Sequence, residues 1–375
     1  MYWLPAILIL PYFLMLLKLC RSRAGAKTFS VSSEPGTFVS VIVACHNEEK
    51  NISLLLRDIF LQDYPGNLYE VIIVDDRSTD NTVEMASAFS GIANMKILPS
   101  TGSGKKKSLR TGILAAEGNL IITTDADCRA GKNWIRTIAA FYEDNKPDMI
   151  ISPVVLESKP GFFKKFQELE FMSLQGITAG SALSGKPVMC NGANLAFNRE
   201  TYLHHSHNLH DEINSGDDIF LLHSLKTQVK SKILWLESNE ATITTALSPT
   251  LKSFLDQRGR WISKVKAYND IPTILLGIVT FTAVCLQIIY LFAFLVSPAL
   301  FPVFLSLIII KSIPDFLILK STSERYGNRK LLWWFLPAQI VYPFYVLCVV
   351  FYAIRNPQSQ IRNFFNFPFP KETLF

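Results

Sequence analysis

Two stretches of this chain, 271–296 and 331–354, contain no charged residue. Each exceeds the ~20 apolar residues that a helix needs to cross a bilayer, so the chain is expected to fold partly in lipid. Between them, 297–319 is apolar except for Lys311 and Asp315, four apart, which a helix would set on one face where they can pair. Three spans are therefore expected over 271–354, followed by a tail over 355–375. A further apolar segment at the start has no basic residue before it and no small-x-small cleavage site after it. It reads as a membrane anchor over 1–20 rather than a removable leader. Lys18, Arg21, Arg23 and Lys27 follow this anchor, and Arg325, Arg329 and Lys330 lie between the last two spans. Positive flanks stay on the cytoplasmic side. That puts the globular part in the cytoplasm, although the few basic residues of the tail run mildly against it.

The region between the anchor and the spans is mixed in composition. After a polar linker over 21–36, β-rich runs at 38–44, 71–74, 120–124 and 149–155 alternate with polar, helix-starting segments such as Asn47-Glu48-Glu49 and Ser78-Thr79-Asp80-Asn81. Alternating strands and helices imply an α/β domain with a mostly parallel sheet, expected over 37–250, with a membrane-proximal segment over 251–270. Two acidic pairs fall just after strands: Asp75-Asp76, and Asp125 with Asp127. Turns favour Asp, but ligands of an open α/β sheet bind at the carboxyl ends of its strands. Two pairs at equivalent strand ends therefore point to one shared crevice. The net charge of +6 is modest. In a membrane protein it suits anionic headgroups rather than nucleic acid, and there is no nucleic-acid-binding motif. The six cysteines include no Cys-x-x-Cys pair and read as free thiols of a cytoplasmic protein.

The order and spacing of the short motifs resemble those of membrane-bound family 2 glycosyltransferases, inverting enzymes with the GT-A fold. The matching pieces are Val-Ile-Val-Ala-Cys-His-Asn-Glu-Glu at 41–49, Val-Asp-Asp-Arg-Ser-Thr-Asp at 74–80 and Gly-Lys-Lys-Lys-Ser-Leu-Arg-Thr-Gly at 104–112. They continue with Thr-Asp-Ala-Asp at 124–127, Gly-Asp-Asp at 216–218 and the Gln-x-x-Arg-Trp pentapeptide at 257–261. The resemblance covers roughly 38–265. It implies a Rossmann-like sheet that holds a nucleotide-diphosphate sugar, UDP-sugar favoured, with a divalent cation, Mg²⁺ or Mn²⁺. By position it implies that Ala44, Asn47 and Glu48 hold the nucleotide, that Asp76 beside Asp75 meets the base, and that Lys105 lies near the phosphates. Asp127, with Asp125, would hold the metal, and Asp218, next to Asp217, would be the catalytic base. Arg260 and Trp261 would lie near the diphosphate, while Gly192, Asn194, Gln257 and Arg258 would face the acceptor. It also implies a lipid or glycan acceptor at the membrane, an inner-membrane location and a part in cell-envelope glycan synthesis.

These residue types suit that chemistry. Carboxylates bind hard cations through oxygen, the cation neutralises a departing diphosphate, and arginine grips phosphate with paired donors. A carboxylate on the far side of the sugar removes the acceptor's proton, which predicts inversion. Asp217 stands where many members have Glu, and the three lysines at 105–107 leave open which one reaches the phosphates. Four spans favour a single transfer to a lipid over processive polysaccharide synthesis with export. A nucleotide-sugar binder without turnover is disfavoured because every acidic motif is kept. A transporter, suggested by Lys311 and Asp315, is disfavoured by the large globular part.

Other features invite sharper readings. Gly102-Ser103-Gly104-Lys105 is not a P-loop, which needs Gly in place of Pro99 and a hydroxyl residue in place of Lys106. Nor is it expected to follow a strand and open a helix with a hydroxyl set for Mg²⁺. His204, His205, His207 and His210 lack an accompanying cysteine and read as a solvated loop. The residues from Phe162 to Leu174 nearly follow helical spacing, with Lys164, Lys165, Glu168 and Glu170 between the apolar ones. They are expected to form an interfacial helix on the membrane surface.

Overall fold

The computed structural model describes residues 4–91, 94–210, 213, 215–228 and 231–355. The tail beyond Arg355 lies outside them. Among the described residues, ten strands form two sheets. The strands are β1 (Val39–Cys45), β2 (Tyr69–Asp75), β3 (Met95–Pro99), β4 (Leu120–Asp125), β5 (Arg129–Ala130), β6 (Met149–Ile151), β7 (Val154–Leu156), β8 (Leu195–Asn198), β9 (Ile233–Trp235) and β10 (Ile243–Thr245). The helices are α1 (Leu4–Ala24), α2 (Ile52–Phe60), α3 (Thr82–Ser87), α4 (Lys105–Ala115), α5 (Trp134–Asn145) and α6 (Phe162–Leu183). They continue with α7 (Arg199–His205), α8 (Asp217–Lys226), α9 (Leu251–Ile262), α10 (Ile271–Val296), α11 (Phe301–Arg325) and α12 (Phe335–Arg355).

The larger sheet runs β3-β2-β1-β4-β8-β6-β9. The four strands from β3 to β4 are parallel, whereas β8 is antiparallel to both β4 and β6. β1 and β2 are buried almost throughout and rich in Val and Ile, as parallel strands covered on both faces must be. Helix α4 packs closely on them at Gly112, where an added Cβ would stand 2.6 Å from Ile42 and 3.1 Å from Val74. Only glycine permits this approach.

The run 149–155, read as one strand, is two. β6 stays in the large sheet and β7 pairs with β10 in a second sheet, β5-β10-β7. Ser152 and Pro153 separate them, and proline cannot donate to a ladder. Helix α6 also departs from expectation. Every residue from Phe166 to Met172 is buried, Gln167, Glu168 and Glu170 included. Lys165 pairs with Glu168 at 2.8 Å, and a Cβ at Gly176 or Gly180 would lie 2.7 Å from Thr322 or from the Leu19 carbonyl. It is an internal helix, because protein covers its polar face as well as its apolar one.

The chain divides into two compact units. One comprises Met1–Tyr12, Ser248–Lys311 and Leu336–Phe375, the other Phe13–Leu247 and Ser312–Phe335. Among the described residues three helical stretches are long and apolar enough to cross a membrane: Ile271–Val296, Pro298–Arg325 and Arg329–Arg355. α1, with Arg21 and Arg23 in its last turn, is not among them. Within the second unit, Arg23 is fully buried, donates to Glu237 at 3.0 Å and to Thr322 Oγ1 at 3.2 Å, and lies 5.9 Å from the Trp235 and Tyr326 rings. Trp235 Nε1 and the Tyr326 hydroxyl donate to the same Glu237, at 2.8 and 3.2 Å. Arg325 donates to the carbonyls of Arg23 and Ala26. The ends of α1 and α11 are thereby tied to the loop that follows β9.

Within the first unit α9 packs on α12. Gly259 faces Tyr352, the Tyr352 hydroxyl donates to Asp256, and Phe254 stacks on Tyr345 with centroids 5.4 Å apart. Lys311 is buried in the same unit, its ammonium 4.6 Å from the Tyr342 ring and 5.5 Å from that of Tyr12.

Candidate active site

Strand register builds the site. Ala44 of β1 lies opposite both Val74 of β2 and Asp125 of β4, and Cys45 lies opposite Asp75. Three adjacent strands thus end at one level, where an open α/β sheet binds its ligands. The loops after β1 and β2 are then sewn together. Asn47 takes φ 56, which Asn tolerates better than most residues. Its N–H donates to Ser78 Oγ at 3.0 Å, and its Oδ1 accepts from the Thr79 N–H at 2.8 Å. Asp75 accepts from the Ser78 N–H at 3.3 Å. The Glu48 N–H donates to Thr82 Oγ1 at 2.7 Å, and its carboxylate accepts from Asn51 Nδ2 at 2.8 Å.

Asp76 reaches toward α4, its Oδ2 accepting from the Gly104 N–H at 2.7 Å. Its Oδ1 is buried and has no hydrogen-bond partner among the described residues. A buried carboxylate oxygen without a donor is costly, and a ligand N–H would relieve it. Gly104, at φ 98, precedes the first turn of α4. The segment therefore does follow a strand, β3, and open a helix, contrary to expectation. It still lacks the residues of a P-loop.

The three lysines separate. The Lys105 ammonium meets Asp125 Oδ1. Burial pulls it down, but Asp125, Asp217 and Asp218 more than offset this and hold it charged, well above the usual lysine range. Lys106 is buried and donates to the carbonyls of Leu209, His210 and Ile213 at 2.6, 2.7 and 2.9 Å, its ammonium 5.1 Å from the Phe220 ring. It is a post beneath the segment that leads to Asp217. Lys107 is exposed.

Asp127 accepts from Thr245 Oγ1 at 3.2 Å. Burial, and then Asp125, raises its carboxyl above the ordinary range. Burial also raises Glu48, with Asp127, Asp125 and Asp80 adding to it. Burial and Asp75 push the Cys45 thiol up to about 12, and burial with Asp125 raises Cys128, so neither thiol is a ready nucleophile. Asp217 and Asp218 open α8 after Gly216. Asp218 Oδ1 accepts from the Ile219 N–H at 2.8 Å and Oδ2 from the Gly192 N–H at 3.0 Å. Thr123 Oγ1 fixes Gly192 by donating to its carbonyl at 2.9 Å. Gly192 thus lies against Asp218.

Asn194 does not face an acceptor. It is fully buried, its Oδ1 accepting from Trp134 Nε1 at 3.0 Å and its Nδ2 donating to the Pro153 and Ala241 carbonyls at 2.7 Å each. All its polar capacity serves the joint between the sheets. The histidine segment is not a loop, because it forms α7 and a short turn, although His204 and His207 are exposed. His205 is buried with Nδ1 2.7 Å from Ser224 Oγ, and His210 packs 4.6 Å from Phe220. Gln257, Arg258, Arg260 and Trp261 lie on α9, in the other unit. Arg258 is buried there, between the rings of Trp261 at 4.2 Å and Phe254 at 4.6 Å, and it donates to Gln257 Oε1. Its guanidinium thus meets three side chains of its own helix. Arg260 is exposed.

Thr245 escapes a reading by motif. It sits far along the chain in an ordinary β-branched run, and no local signal marks it. Among the described residues no three His, Cys, Asp or Glu side chains gather as a metal cage. Two neighbouring carboxylates, Asp125 and Asp127, nevertheless suit Mg²⁺-like ions, which take one or two carboxylates together with substrate phosphates.

Residues 40–205 match the family model of glycosyl transferase family 2. Over 114 residues the chain is 32% identical to the poly(ribitol-phosphate) beta-N-acetylglucosaminyltransferase TarS of Staphylococcus aureus, covering 30% of this chain and 20% of that protein. Over 142 residues it is 29% identical to the beta-monoglucosyldiacylglycerol synthase of a Nostoc species, covering 36% and 30%. The chain thus spans about a fifth to a third of the length of these curated relatives. Among solved structures it resembles the mannosyltransferase PcManGT from Pyrobaculum calidifontis in complex with GDP-Man and Mn²⁺. The TM-score is 0.59 at 16% identity, over 95% of this chain and 100% of that one, which is a likeness of fold. Residues 40–205 thus match the glycosyl transferase family 2 model, and the fold is GT-A.

Proposed function

We propose that this protein is an inverting glycosyltransferase that moves a sugar from a nucleotide-diphosphate sugar to a lipid or lipid-linked glycan at the membrane. The observation that carries this reading is the gathering of Lys105, Asp125, Asp127, Asp217 and Asp218 around the ends of β1 and β4. In this reading Asp76 Oδ1 accepts from an N–H of the base, and uracil offers one. Lys105 faces the phosphates. Asp125 and Asp127 hold a divalent cation, which neutralises charge on the departing diphosphate. Asp218 takes the proton of the acceptor hydroxyl. The Gly192 and Ile219 N–H groups fix its carboxylate and leave each oxygen a further lone pair for that proton.

The name of the Nostoc relative, a glucosyldiacylglycerol synthase, supports a lipid acceptor. The domain order read from the sequence stands as part of the proposal: an anchor over 1–20, a linker over 21–36, the transferase over 37–250, the pentapeptide segment over 251–270 and three spans over 271–354. Arg23 and Arg325, held on Glu237 of the sheet domain, support a cytoplasmic domain by the positive-inside rule, with the inner membrane as the location.

Purified full-length chain in detergent, given bacterial lipid extract, Mn²⁺ or Mg²⁺ and a panel of radiolabelled nucleotide sugars, tests the reading. Label is expected in a discrete lipid, lost in Asp127→Ala and Asp218→Asn, with nucleotide binding retained in Asp218→Asn. Label in a high-molecular-weight product would make the protein a polysaccharide synthase. Intact turnover in Asp218→Asn would remove that residue as the base.

A further inference from the structure

We infer that Lys105 occupies Asp125, one of the two aspartates proposed for the cation, until a nucleotide diphosphate draws it away, so that this one side chain makes divalent-metal binding depend on the donor. The inference rests on the nucleotide-sugar reading above and extends it to the order in which the site fills.

The ammonium of Lys105 is seated on Asp125 Oδ1. A dication that takes Asp125, on either oxygen, lies beside this ammonium and is repelled by it. Without nucleotide, the ammonium and the dication share one carboxylate, and each weakens the hold of the other. A diphosphate changes the balance by supplying anionic oxygens that accept the ammonium while also ligating the metal. Lys105 is, in addition, the first residue of α4, immediately after Gly104, whose N–H is held by Asp76. The carboxylate proposed to meet the base is therefore one hydrogen bond and one residue away from the lysine that covers the metal aspartate. Coupling of this kind is reciprocal, with metal and nucleotide each raising the affinity of the other by one common factor.

Mn²⁺ titrated into the full-length protein in detergent, followed by electron paramagnetic resonance with and without UDP, tests this. In wild type UDP should tighten Mn²⁺ at least about tenfold, within the usual range of such couplings. Lys105→Met, which keeps length and loses charge, should tighten Mn²⁺ alone by about tenfold and shrink the coupling. Lys105→Arg should restore both. A coupling that came only from metal bridging the phosphates would survive Lys105→Met. Mn²⁺ affinity without nucleotide that is unchanged or weaker in Lys105→Met would overturn the inference, as would a wild-type Mn²⁺ affinity indifferent to UDP. If no nucleoside diphosphate binds at all, the proposed function itself falls. Independent binding of both ligands would instead spare that function and remove only the role of Lys105.

Discussion

Replacing Asn194 by alanine separates a structural joint from an acceptor contact. The substitution strips hydrogen bonds from three buried groups at once: Trp134 Nε1 and the carbonyls of Pro153 and Ala241. A buried polar group left without a partner costs about 1–3 kcal/mol, and water entering the gap recovers part of that. A loss of roughly 3–5 kcal/mol is therefore expected, at the upper end of what single substitutions do. At ~2–4 °C per kcal/mol for a domain of this size, the melting temperature should fall by about 10 °C. Gly192→Ala is the control two residues away. Its new Cβ would lie 3.6 Å from Asp218 Oδ2, an ordinary contact, so stability should hold while turnover falls at the base. The assay is thermal unfolding of both variants in detergent, beside initial rates with saturating donor and varied acceptor. An Asn194→Ala protein that melts like wild type but shows a raised acceptor KM would refute the structural reading.

Two further outcomes follow from the same geometry. Burial, and then His204, lowers the pKa of His205, so the folded state holds fewer protons than the unfolded chain. Its stabilising effect is complete above the ordinary histidine value and is lost as pH falls below ~6.5; melting temperature should drop between pH 7.5 and 5.5, and less so in His205→Gln. Gly259→Ala needs Tyr352 to yield by a few tenths of an ångström, from 3.2 Å, and should be mild. Gly259→Val should cost about 1–3 kcal/mol by overpacking and lower activity by shifting α9, seen as earlier thermal unfolding and slower transfer.

What could be read from the sequence was what local chemistry and register decide. Asp75 and Asp125 follow β-rich runs, and once those runs pair in parallel their ends share a level. The charge-free stretches over 271–296 and 331–354 give helices long and apolar enough to cross a membrane. Pairings that close over long loops could not be read. β8 inserts antiparallel between β4 and β6, and nothing local in Leu195–Asn198 announces that direction. Lys106 looked like its two neighbours, yet one is in the site, one supports a loop from below and one is exposed, because successive residues of a helix point about 100° apart. α6 carried the spacing of an amphipathic helix, but that spacing reports one apolar face and not whether the polar face is covered as well. Asn194 was named from its motif and proved to be spoken for by three buried partners.

The knot on Glu237 limits how this protein can be cut. A soluble fragment trimmed to the sheet domain, 37–250, would leave Glu237 in place but remove Arg23, Arg325 and Tyr326, whose nitrogen and hydroxyl groups meet it. Removing one partner of a buried ion pair typically costs about 3–5 kcal/mol. Exchanging α1 for a generic anchor would do the same unless an arginine is kept at position 23. The knot also links residues more than two hundred positions apart. In a nascent chain Arg23 therefore waits unpaired until Glu237 and then Thr322 have been made. The ends of α1 and α11 are, in that sense, parts of the interior of the sheet domain.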